Sequence, residues 1–187
     1  MKALLKFSAG IDAINGWVGN YIKWLILAAV LVSAGNATTR YLFSIASNAM
    51  LELQWYLYAA VFTAAAGYVL KLNEHVRIDV VSQRISPRAR NWIDVIGLLF
   101  CVMPVSLYIC LQSIPNLLET YANQEVSQNA GGLLRWPVRA MIPLGFGLLF
   151  IQAFSELIKR WAFLKGYIED PLSKGGHVNM DDEQETA

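Results

Sequence analysis

Four long apolar stretches, residues 21–39, 53–70, 92–114 and 138–158, constrain the fold of this chain more than any other feature. Each approaches the roughly 20 residues that carry a helix across the hydrocarbon core of a bilayer. A helix satisfies its own backbone hydrogen bonds there, where no water can. Apolar residues make up 56% of the 187, which moves the expectation from a globular core to a membrane. Charge or turn residues bound every stretch: Arg40 ends the first, Ser47-Asn48 precedes the second and Lys71 closes it. Ser86-Pro87 reads as cap and first helical position of the third helix, and Pro137 opens the fourth. Pro104, Pro143, Gly145 and Gly147 are tolerated within spans that bend without ceasing to cross.

Formal charge is +1, so no global field marks a nucleic-acid binder. The distribution of the charges sets an orientation. The N-terminal region, the middle loop and the C-terminal region hold Lys2, Lys6, Lys23, Lys71, Arg77, Arg84, Arg88, Arg90, Lys159, Arg160, Lys165 and Lys174, against Arg40, Arg135 and Arg139 on the other side. Basic residues are retained on the cytoplasmic side, which predicts both termini inside. Trp17, Trp24, Trp55, Trp92, Trp136 and Trp161 lie near span ends, in the manner of an aromatic belt.

Residues 1–20 carry no unbroken apolar core of the kind a cleavable signal needs. Leu4, Phe7, Ile11, Ile14, Val18 and Tyr21 step by three and four, with Lys2, Lys6, Asp12 and Asn15 off that stripe. The pattern suits an amphipathic helix in the membrane interface, or a helical extension packed on protein. Residues 21–165 form the membrane domain. Residues 166–187, ending in Asp181, Asp182, Glu183 and Glu185, are expected to be a disordered cytoplasmic tail. The fold class is therefore all-α integral membrane: four transmembrane helices, both termini inside, with an N-terminal interfacial amphipathic helix.

Positions near the middle of the spans, Val30, Phe62, Pro104 and Gly147, carry no ionisable group, which argues against an ion-coupled pathway within the chain. Arg40 and Glu52 fall near the outer boundary, Asp94 and Glu156 near the inner one. Glu52 reads as a first-turn carboxylate favoured by the helix dipole or as the partner of a basic group on another subunit. Asp94, with Arg90 a turn before it, and Glu156, with Lys159 and Arg160 after it, read as paired interfacial anchors. Ala59, Thr63 and Gly67 make a small-residue row that lets another helix approach, from within the chain or from a partner. Cys101 and Cys110 fall on opposite helix faces and cannot bridge. Histidines stand only at 75 and 177, which excludes haem ligation within the bundle, and His75 with Asp79 lacks a third ligand for zinc. No cofactor, metal or catalytic constellation is expected.

Three groups of residues carry a resemblance. They are Gly35-Asn36 through Arg40-Tyr41-Leu42-Phe43; Glu52-Leu53-Gln54-Trp55-Tyr56-Leu57 with Asn73-Glu74-His75-Val76-Arg77-Ile78-Asp79-Val80; and Ser127-Gln128-Asn129-Ala130-Gly131-Gly132-Leu133 with Arg135-Trp136-Pro137, Ile142-Pro143-Leu144-Gly145-Phe146 and Gln152. Together they resemble the small membrane (Q) subunit of tripartite ATP-independent periplasmic (TRAP) transporters, most nearly the branch labelled mannitol or chloroaromatic. Ala64-Ala65-Ala66 stands where many relatives carry glycine. The resemblance implies an importer of small organic anions in the bacterial inner membrane, driven by an ion gradient. A periplasmic substrate-binding protein captures the anion, a large membrane subunit carries it, and the small subunit extends the static scaffold. The rival readings are an assembly subunit of another complex or a small independent carrier.

Overall fold

The computed structural model describes residues 2–45, 47–73 and 86–168. Four helices in it are long and apolar enough to cross a membrane: α1 (Lys2–Phe43), α2 (Asn48–Leu72), α3 (Pro87–Ala122) and α4 (Trp136–Leu164). Each predicted span falls inside one of them. His75, Asp79 and the acidic tail lie outside the described residues.

Local chemistry sets several of the ends. Ser47 accepts the amide of Met50 as N-cap of α2, and Ser86 accepts that of Ala89 for α3, with Pro87 in the first turn. Asn73, at φ 57°, closes α2 in the left-handed conformation that asparagine tolerates better than most residues. Within α3, residues Leu98–Val102 widen into a π-helical turn immediately before Met103-Pro104. Proline lacks an amide hydrogen and its ring crowds the carbonyl four residues back, so a wider turn accommodates it without breaking the helix.

Residues 2–20 share one helix with the first span, since α1 runs unbroken through 42 residues. At about 1.5 Å per residue it is roughly twice as long as a hydrocarbon core is thick. Its amphipathic half turns one polar row inward: Ser8 and Asn15 are buried with Ile11 between them, while Leu4, Phe7, Ile14 and Tyr21 are exposed, as are Lys2 and Lys6.

Across the bundle, small residues fill much of the interior. Ala29, Ala60, Ala153 and Ala162 are buried, whereas Phe62 is 82% exposed and Phe100 70%. Small residues let helix backbones approach, and large apolar side chains face outward because lipid solvates them as well as protein does. Helix α4 touches the other three; α2 lies between α1 and α4, and α3 packs mainly on α4. The tightest approaches are at glycine. A Cβ at Gly145 would collide with Thr63, and one at Gly67 would stand 2.5 Å from Asn15 Oδ1 and 3.2 Å from the Leu148 carbonyl. A small core of Leu70, Leu98 and Ala153 sits where α2, α3 and α4 meet. Both cysteines are free, Cys101 exposed and Cys110 donating to the Pro143 carbonyl at 3.4 Å.

Candidate functional site

The polar side chains of the bundle gather chiefly at its two ends. At the end that holds the start of α1 and the finish of α4, Ser8, Asp12 and Asn15 line one face of α1 and meet Gln152, Ser155, Glu156 and Lys159 on α4. Asp12 accepts from Gln152 at 2.8 Å, Ser155 at 3.0 Å and Lys159 at 3.0 Å. Asn15 donates to Gln152 at 2.9 Å, and the Ser8 and Ser155 hydroxyls lie 2.7 Å apart. Asn15 Oδ1 accepts no hydrogen bond among the described residues and faces Gly67. Arg160 extends the network: it pairs with Glu156 one turn back, donates to Asn73 at 2.8 Å at the end of α2, and reaches Asp94 on α3 at 3.4 Å. Glu156 and Arg160 are fully buried, and Lys159 also pairs with Glu156.

Glu156 therefore departs from the expected surface anchor. Its local pairing with Lys159 and Arg160 is as the spacing implies, but the carboxylate points into protein, where leaving water is offset by two cations and an amide. Asp94 keeps a partly exposed carboxylate and meets Arg160 of another helix.

At the opposite end, the segment between α3 and α4 folds into a small hairpin. Ser127 and Leu133 pair through their backbone, as do Arg135 and Glu125, with Gly131 at φ 72° in the turn. Glu52 holds this segment. Its carboxylate accepts from the Ser127 hydroxyl, from Asn129 Nδ2 at 2.8 Å and from the Leu133 amide at 2.7 Å. Helix α2 starts at Asn48, so Glu52 lies beyond the first turn and is occupied by its own chain, and this corrects the dipole reading. Asn48 and Tyr56 add bonds to the carbonyls of Ala130 and Leu134, and Arg139 joins Asn116, Thr120 and Glu125. Glu52→Ala is expected to release the hairpin: exchange of the Leu133 amide should rise by about an order of magnitude while the helices keep their protection. Unchanged exchange across 125–135 would count against the clamp.

The small-residue row works inside the chain at two of its three positions, Thr63 against Gly145 and Gly67 against Asn15 and Leu148. Arg40 is different. Exposed near the end of α1, its guanidinium meets no acid or acceptor among the described residues, and it borders a groove of about 500 Å3 with Ser33, Asn36, Ala37, Tyr41, Leu51 and Gln54. Asn36 is buried there, and its Oδ1 has no hydrogen-bond partner among the described residues. Tyr41, Leu42 and Phe43 beside it are exposed, at 88%, 64% and 66%. Trp24, Trp55 and Trp92 also face outward, and Trp136 stacks edge-on against Tyr121 at 5.6 Å.

Residues 24–163 match the model of the family described as tripartite ATP-independent periplasmic transporters, DctQ component. The chain belongs to this family. Neither a curated protein nor a solved structure gives a match. DctQ proteins are membrane components of three-part transporters, not enzymes, which agrees with four membrane-length helices and gives the chain its class. The DctQ match takes in the Glu52 clamp, the Arg40 groove and the α4 side of the buried network. It leaves Ser8, Asp12 and Asn15 outside.

Sequence reasoning missed the buried network. Its trace is present all the same: Ser8, Asp12 and Asn15 at helical spacing on α1, and Gln152, Ser155, Glu156 and Lys159 at helical spacing on α4. Two polar stripes in otherwise apolar helices are most stable facing each other.

Proposed function

We propose that this DctQ chain is the static small subunit of an ion-gradient-driven importer of small organic anions in a bacterial inner membrane. It pairs with the large membrane subunit and has no transport pathway of its own. One observation carries the reading: the middle of the bundle offers no open polar site among the described residues. Thr63, Ser106 and Ser113 are tied to carbonyls of their own helices, and the charged groups lie at the ends. A chain that moved an ion by itself would hold ionisable groups facing a cavity at membrane depth. Substrate recognition then belongs to the periplasmic binding protein and the large subunit; the mannitol or chloroaromatic likeness assigns no substrate. The amphipathic half of α1 fits this scheme with its outward apolar stripe in the inner interface.

The groove at Arg40 is the part of the surface best suited to the partner. An unpaired guanidinium beside a buried, unpartnered amide oxygen leaves a donor and an acceptor for a helix carrying a carboxylate. Arg40→Glu should lower recovery of the complex with the large subunit by roughly tenfold or more, with folding of the small subunit unchanged. Uptake should follow the complex, and the purified small subunit alone should give none above empty vesicles. Gradient-driven uptake by that subunit alone would instead establish an independent carrier.

Both termini inside is the accompanying orientation, supported by the basic excess at the middle loop and chain ends. A membrane-impermeant thiol reagent added to cells is expected to label a cysteine placed at Asn129 and to spare one placed at Ser82. The reverse pattern would invert the topology.

A further inference from the structure

A second groove, of about 390 Å3, opens between the start of α3 and the finish of α4, lined by Arg88, Trp92, Trp161, Leu164 and Lys165. Two cations line it and, among the described residues, no carboxylate does. That balance sets it apart from the neighbouring network, where Lys159 and Arg160 are each paired with acids. Among the described residues Arg88 has no partner, and neither the Trp92 nor the Trp161 indole N–H donates a hydrogen bond. The groove is nonetheless ordered from within. Trp92 and Trp161 meet edge to face at 6.3 Å, and Lys165 Nζ sits 5.3 Å from the centre of the Trp161 ring. Arg88 lies in the first turn of α3, where amides point out of the helix and favour an anion.

Below the two cations the surface turns apolar. Ile96 and Leu99 follow Trp92 at helical spacing and are 53% and 46% exposed, so a hydrophobic track leads from the groove along α3. A guanidinium, an ammonium and two indole donors above an apolar track match one ligand chemistry: a phosphodiester joined to acyl chains.

We propose that this groove is a binding site for an anionic glycerophospholipid. Arg88 and Lys165 hold the phosphate, Trp92 and Trp161 flank the glycerol region, and the acyl chains lie along Ile96 and Leu99. The site does not depend on pairing with a large subunit, so its test stands apart from that of the proposed function.

The test uses the full chain in detergent, with the lipid retained per molecule read by native mass spectrometry. Phosphatidylglycerol, phosphatidylcholine with the same acyl chains, and inorganic phosphate are the probes. Wild-type protein should retain phosphatidylglycerol over phosphatidylcholine by roughly tenfold or more, because each basic residue contributes about a fivefold factor toward an anionic lipid. Arg88→Gln with Lys165→Gln should abolish that preference. Both side chains are exposed, so helicity and elution volume of this variant should match the wild type. Lys2→Gln with Lys6→Gln removes the same charge elsewhere on the inner side and should keep the preference. An unchanged preference in the Arg88 and Lys165 variant would overturn the site, as would an equal loss in the Lys2 and Lys6 control. Full displacement of phosphatidylglycerol by equimolar inorganic phosphate would identify a free-anion site and overturn the lipid.

Discussion

Arg160→Ala is expected to destabilise the folded chain by roughly 3–5 kcal/mol, as removal of one partner of a buried ion pair does. Thermal unfolding of the purified subunit in detergent reads this out. The reason lies in what stays behind. Glu156 is fully buried, and its remaining cation, Lys159, is shared with Asp12. Asp94 loses its contact from α4, and Asn73 loses the guanidinium that ties the end of α2 to the same place. Three helices are thereby released from one side chain. Replacing both partners by neutral residues of similar volume, Glu156→Gln with Arg160→Met, should cost clearly less than Arg160→Ala, because no uncompensated carboxylate is then left inside. A double variant as unstable as the single one would mean that Arg160 acts through packing of its stem and not through its charge.

The network also shows where reading the sequence stops. The four spans were legible because length and hydropathy are local properties, and so were the ends at Ser47 and Ser86, where capping chemistry is confined to a few residues. Pro104 was legible as a site of distortion, but the π turn that absorbs it depends on which carbonyl the preceding residues can reach. The buried network depends on contacts between positions far apart in the chain. Ser8 with Ser155 and Asp12 with Gln152 exist only once α1 and α4 lie antiparallel. Large apolar residues on α1 drew the reading to its mostly exposed stripe, whereas the packed face mixes Ser8, Asn15 and Asn36 with Ile11, Ile22 and Ala29. The expectation that hydrophobic means inward fails once lipid solvates the outer surface. Glu52 is a similar case: its position near a boundary was legible, but its acceptor role required the 123–135 segment to fold back over α2.

A neutral substitution at Gly67 is expected to have a large effect, and it separates packing within the chain from packing on the large subunit. Overpacking a helix contact typically costs about 1–3 kcal/mol. Gly67→Leu should reach the top of that range, because a Cβ there already stands 3.2 Å from the backbone carbonyl of Leu148, which cannot swing aside. The other obstacle, Asn15 Oδ1, is fixed as well, since Asn15 Nδ2 is bound to Gln152 inside the network. Small subunit carrying Gly67→Leu should therefore fail to give a monodisperse, cooperatively melting protein when expressed alone, and its complex should be lost for that reason. Gly67→Ala offers the finer measurement. Its cost should shrink when Asn15→Ala removes the obstructing amide, so the double variant should be more stable than the sum of the two single losses implies. Additivity between the two positions would break the link to Asn15. A well-folded Gly67→Leu subunit that no longer co-purifies with its large partner would move the row from the inside of this bundle to the interface between subunits. The groove at Arg40 would then no longer suffice to define the docking face.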